Sequence, residues 1–147
     1  LNKQTTILLL LIGLLSSCFD DGDCESTKTD LLLIDFKSFD TKSDSTVTVQ
    51  SIVLANSDSL FHNETSISSA TLPLDPNVDT LRISFNYPDT TLQILLSYTT
   101  TPRLITPDCG VELGFGNIAI DEHGFDSVAV KSSTLDEQIT SNIVIYL

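Results

Sequence analysis

Tryptophan and methionine are absent from this 147-residue chain, histidine occurs twice, and only seven residues are basic against 20 acidic. Each shortage closes a class of function. With so few Lys and Arg and a formal net charge of −13, the phosphate neutralisation on which nucleic-acid binding rests is missing. His62 and His123 stand far apart and do not specify a nucleophile with its base among the many serines. No glycine-rich loop is spaced to cradle phosphates. Neither an enzyme nor a cofactor is expected. Sugar platforms lean on exposed tryptophan and tyrosine; here Tyr87 and Tyr98 share the phase of apolar neighbours, and only Tyr146 looks outward. Long hydrophobic runs are scarce as well. Ile7 to Leu15, interrupted by Gly13, is too short for the roughly 20 residues of a membrane-spanning helix and fits the about 7–15 residues of a secretory core segment behind Lys3.

What is present begins with Leu15-Ser16-Ser17-Cys18. Leu at −3, small residues at −2 and −1 and then a thiol resemble a bacterial lipobox. The resemblance implies a signal-peptide helix over residues 1–17, cleavage before Cys18, and acylation of Cys18 by palmitate-type chains. A thiol is required because a diacylglyceryl thioether forms there before the signal is cut; a plain signal peptide with a chance cysteine is the alternative. Acyl chains contribute about 0.8 kcal/mol per buried CH₂, so one anchors weakly and three hold permanently. Residues 18–30 read as an acidic tether. Phe19 stands at +2, where the inner-membrane retention signal has Asp. Asp20-Asp21-Gly22-Asp23 resembles the export signal of Bacteroidetes-type lipoproteins sent to the outer face of the outer membrane. The other reading is a solvated, flexible linker. An EF-hand fails because its pattern stops after Asp23.

The remainder, residues 31–147, is long enough for one domain with a core. From Cys18 onward the chain carries 20 acids against six bases, the seven less Lys3. With Cys18 committed to lipid, Cys24 and Cys109 are left as a pair in an oxidising compartment, and a disulfide is expected; a metal site on two cysteines without nearby histidines is a poor competitor. Short alternating runs predict eight or nine strands. Leu31 to Phe36 comes first. In the next, Val47, Val49 and Val53 share one face. Asn56 to Asn63 and Ile67 to Leu74 read as edge strands, the second ended by prolines. Leu81, Ile83, Phe85 and Tyr87 should pair antiparallel with Leu92, Ile94, Leu96 and Tyr98 at a sheet centre, turning at Pro88-Asp89. Val111, Leu113 and Phe115 point inward with Glu112 outward, and Gly114 and Gly116 suggest a bulge. Val128, Val130, Ile143 and Ile145 complete the core, with Val144 and Tyr146 outward. The expected fold is an all-β, two-layer antiparallel β-sandwich, immunoglobulin-like or prealbumin-like.

Thr101-Pro102-Arg103-Leu104-Ile105-Thr106-Pro107-Asp108-Cys109-Gly110, Phe115 and the closing Asn142-Ile143-Val144-Ile145-Tyr146 resemble a family of small Bacteroidetes-type cell-envelope lipoproteins classed as a domain of unknown function. Cys24 fits the same pattern. The resemblance implies an outer-membrane location and a β fold, and it supplies no activity. The expected role is an accessory or structural module that binds an envelope protein through edge strands and flat faces; the alternative is a surface glycan-binding β-sandwich. Asp121-Glu122-His123-Gly124-Phe125-Asp126 gathers acids with a histidine but sits where a hairpin turn is needed, so no metal is assigned. Five triplets of Asp, hydroxyl, then apolar or Thr place hydroxyls at Ser45, Ser59, Thr80, Thr90 and Ser127. They resemble acceptors for periplasmic O-glycosylation in Bacteroidetes-type bacteria. The same triplet is also how a turn feeds a strand. Ser45, Ser59, Thr90 and Ser127 fall at predicted turns, and Thr80 at a strand start.

Overall fold

A computed structural model describes residues 24, 26, 28–55, 60–136 and 141–147, with the side chains of residues 60–62 outside that description. Among the described residues there is no helix and nine strands: β1 (Leu31–Lys37), β2 (Val47–Leu54), β3 (Leu60–Ile67), β4 (Ser69–Pro73), β5 (Thr80–Asn86), β6 (Thr91–Thr106), β7 (Gly110–His123), β8 (Ser127–Val130) and β9 (Ile143–Tyr146). They form two sheets, ordered β4-β1-β9-β8 and β3-β2-β5-β6-β7, packed as a sandwich. Period-two burial explains the arrangement. Leu32, Ile34 and Phe36 of β1, Leu81, Ile83 and Phe85 of β5 and Ile94, Leu96 and Tyr98 of β6 all turn into one cluster between the sheets, while their alternate neighbours remain at least partly exposed.

The β5–β6 hairpin pairs in register from Thr80–Ser97 to Asn86–Thr91 and puts β5 at the middle of its sheet, as its alternation predicts. β3 and β4 are edge strands of the two sheets. One pairing departs from the antiparallel expectation: β1 and β9 run parallel, Ile34 beside Ile143 and Phe36 beside Ile145. β2 also changes phase part-way. Val47 and Val49 are buried, then Ile52 and Leu54 in place of Val53, with a register irregularity against β3 between Ile52 and Val53. Val144, expected to face outward, is buried; β9 lies between β1 and β8, with Asp35 and Ala129 flanking Val144 in register.

Asn142 joins the layers' periphery to the core. It is 2% exposed. Its Oδ1 accepts from the Leu33 amide at 3.0 Å and its Nδ2 donates to the Thr134 carbonyl at 2.9 Å, so a buried amide is fully engaged between β1 and the loop after β8. Asn142→Ala leaves the part-buried Leu33 N–H without its acceptor and removes one of the two donors to the Thr134 carbonyl, the other being Ser132 Oγ, which costs about 1–3 kcal/mol. Urea unfolding should show a lower midpoint with the slope unchanged.

Candidate functional site

The feature that most departs from a plain sandwich is the β6–β7 hairpin. Pairing with β5 stops at Ser97, yet the two strands stay in register through Thr101–Gly114, Pro102–Leu113, Arg103–Glu112 and Leu104–Val111 to Thr106–Gly110. Nine residues of overhang, 98–106, at about 3.3 Å each extend it some 30 Å past β5. Pro102 is tolerated because β6 there has a neighbour on one flank only. A bulge near Asn117, at φ 52°, lets the register slip between Thr99–Gly116 and Ser97–Ala119. At the far end Gly110, with φ 81°, closes the turn in a conformation that favours glycine.

The two faces of the overhang differ. One is exposed and apolar: Leu104, Val111 and Leu113 are 59%, 63% and 43% exposed, with exposed Pro102 beside them. Val111 and Leu113, together with Val130 on β8, therefore do not belong to the core. They share the parity of buried Phe115, but the chain has run past the sheet that covers Phe115. Glu112, expected outward, is the buried one, with an 8% exposed side chain. Ser26 Oγ donates to its Oε2, and Arg103 Nε lies 2.7 Å from Oε1, a charge contact rather than an aligned hydrogen bond.

A short N-terminal segment covers that second face. Cys24 and Cys109 form a disulfide with their Cα atoms 5.4 Å apart, and Lys28 bridges to Asp136. The Lys28 ammonium donates to the Asp136 carboxylate and holds its pKa below the ordinary 3.8; partial burial opposes this, and Thr134 Oγ1 adds a second bond at 3.0 Å. A carboxyl depressed on folding stabilises fully above its unfolded pKa, and that contribution is lost as pH falls through the depressed value. Asp136→Asn should therefore flatten the acid limb of a melting-temperature profile, and lower stability at neutral pH by at most about 1 kcal/mol because both groups are partly solvated.

At the opposite end of the sandwich the register gathers Lys37, Ser127 and Tyr146. Phe39, 53% exposed, meets Tyr146 edge to face at 6.5 Å. Lys42 Nζ sits 4.1 Å from the Phe39 ring centroid and 4.3 Å from that of Tyr146. Nearby, Lys37 Nζ lies 2.8 Å from the Asp44 carboxylate, which raises the lysine pKa. The outer face of the five-stranded sheet is polar and internally bonded: Asn86 to Ser51 at 2.8 Å, Thr91 to Asn86 at 2.9 Å, and Gln93 to Ser84 at 3.0 Å. A shallow cleft of about 500 Å³ lined by Arg82, Gln93, Leu95, Glu122 and His123 opens on it.

With this geometry in hand, a family model matches residues 46–147, a family of unknown function designated DUF6452. The chain belongs to DUF6452. No curated protein and no solved structure matches it. Within this DUF6452 chain the matched region takes in β2 to β9 with the whole β6–β7 hairpin and Tyr146, while Cys24, β1, Phe39 and Lys42 lie before it.

Of the residues singled out by sequence, Cys24 and Cys109 come together, whereas Cys18 and Ser59 lie outside the described residues. Thr80 and Thr90 are exposed; Ser45 and Ser127 are half-buried, Ser127 as the first residue of β8. The segment Asp121 to Asp126 is not a hairpin turn, because β7 and β8 belong to different sheets. His123 Nδ1 lies 2.9 Å from the Phe125 carbonyl, and Phe125 plugs the core. Among the described residues no three His, Cys, Asp or Glu side chains converge to hold a metal ion. Sequence reasoning missed the Phe39–Lys42–Tyr146 cluster, since nothing local links residues 39 and 146.

Proposed function

We propose that this chain is a lipid-anchored accessory module of a bacterial outer membrane, held by acylated Cys18 and docking a second envelope protein at the end remote from its anchor. The observation that carries the docking end is the cluster of exposed Phe39 and Lys42 with half-buried Tyr146. Aromatic side chains are enriched among the residues that anchor protein interfaces. A partner presenting an apolar pocket with a carboxylate at its rim fits them: Phe39 enters the pocket and Lys42 meets the carboxylate. The disulfide supports the rest of the reading, because it fixes the root of the tether at the hairpin and leaves this cluster facing away.

A glycan-binding role is the second reading, favoured by the cleft of Arg82, Gln93 and Glu122, whose donors and acceptors suit sugar hydroxyls. The rings of Phe39 and Tyr146 stand at 90° to one another and Lys42 lies over both, which is a poor stacking platform. A photocrosslinking residue at Asp40 in intact cells should yield one discrete protein adduct that Phe39→Ala abolishes. Absence of any adduct, with glycan-array binding that Arg82→Ala removes, would transfer the function to the cleft. Detergent phase partitioning of Cys18→Ala tests the anchor, and a variant that stays with the membrane phase would refute it. Intact mass after delipidation reads O-glycosylation at Ser45, Ser59, Thr80, Thr90 or Ser127.

A further inference from the structure

We infer that the apolar face of the β6–β7 overhang, Pro102, Leu104, Val111 and Leu113, rests in the headgroup layer of the membrane that carries the anchor. The inference rests on acylation of Cys18. Six peptide links separate Cys18 from Cys24, a covalent reach of about 20 Å at full extension. Cys24 is bonded to Cys109 in the turn of the hairpin, so the tip of the overhang cannot move further than that from the acyl chains. The headgroup layer on each side of a bilayer is itself about 5–8 Å deep. A tip on so short a leash meets the lipid surface continually.

Its chemistry suits that surface. In a chain with 20 acidic residues, the four side chains of this face carry no charge. Arg103 and Glu112 occupy the other side, where Ser26 and Arg103 engage the carboxylate. Among the described residues Asp108 in the tip turn is the acid at the rim, and it is exposed, free to stay in water while Leu104 and Val111 dip. An apolar patch of this size is too small to hold a free protein on a membrane, but an anchor beside it converts binding into an intramolecular event at high effective concentration. The contact then sets orientation rather than affinity: with the hairpin down, Phe39, Lys42 and Tyr146 point away from the lipid.

Because the chain has no tryptophan, one introduced tryptophan reports alone. Val111→Trp and, as a second reporter, Phe39→Trp would each be purified with the native lipid and placed in phosphatidylethanolamine vesicles containing bromolipid. Trp at 111 should shift its emission to the blue by about 10 nm and lose at least half its intensity to bromolipid, while Trp at 39 keeps both. Emission at 111 indistinguishable from that at 39 in vesicles overturns the inference alone. Emission at 111 that shifts in native membranes yet not in vesicles also overturns it, in favour of a protein cover. Intact mass showing Cys18 unmodified removes the anchor reading and this inference with it.

Discussion

Phe85→Ala should cost about 3–5 kcal/mol, most of the stability of a domain this size. Phe85 is fully buried and touches rings from two other parts of the fold. Phe36, on β1 of the opposite sheet, meets it edge to face at 6.0 Å and 89°. Phe125, on the crossover between sheets, does so at 5.3 Å and 84°. Truncation removes the area burial of a whole ring, leaves a cavity between close-packed sheets, and deletes two aromatic pairs worth about 0.5–1.5 kcal/mol each. The contributions overlap and do not add. Urea unfolding is the measurement, with Phe85→Leu as a smaller perturbation at about 1–2 kcal/mol and Val111→Ala as the contrast. The latter should lie within about 0.5 kcal/mol of the parent because its side chain already faces solvent. A Val111→Ala loss as large as a core truncation would mean that the overhang folds back on the sandwich.

Removing the disulfide with Cys24→Ser and Cys109→Ser together is the second large effect, about 2–4 kcal/mol. The cysteines are 85 residues apart, and constraining so long a loop in the unfolded chain has an upper value near 4–5 kcal/mol. The native state relieves part of this. Without the bridge, residues 24–28 can leave the hairpin, regaining entropy while losing the Ser26–Glu112 and Lys28–Asp136 contacts. Glu112 then becomes solvated. Hydrogen exchange should separate the two parts, with amides of residues 101–113 exchanging faster through local opening and those of β5 changing only as the global stability does. Equal acceleration everywhere would show that the segment is integral to the core.

Much of the sandwich was legible because its central hairpin is written in two clean period-two runs, Leu81 to Tyr87 and Leu92 to Tyr98, where every second residue is large and apolar. The edge strand β4 was legible through Pro73, which a central strand excludes, whereas β3 runs from Leu60 to Ile67 where a strand over residues 56–63 was expected, residues 56–59 lying outside the described residues. The disulfide followed from cysteine parity. Alternation gives which residues share a face but not whether anything covers it, so Val111, Leu113 and Val130 read as core and Glu112 as surface. The bulges near Ile52 and Asn117 slip the phase without any marker beyond β-compatible residues. Leu135, fully buried, sits in a polar stretch of Ser132, Ser133, Thr134 and Asp136, and only the bond from its amide to the Phe115 carbonyl explains its place. The candidate docking end was illegible for a different reason. Phe39 and Tyr146 meet only after β1 and β9 align, a pairing across more than a hundred residues that no local pattern encodes.

That alignment also governs the order in which the molecule can be assembled. β9 occupies an inner position of its sheet, with β1 on one side and β8 on the other, and it is the last described strand to emerge from a ribosome or a translocation pore. Until residues 143–146 are through, β8 has no neighbour in its sheet and β1 has only β4. A chain synthesised N-terminus first thus lacks the strand that joins β1 to β8 until residues 143–146 are available. Closure by such distant segments is slow, so the four-stranded sheet is completed only when residues 143–146 reach their place between β1 and β8.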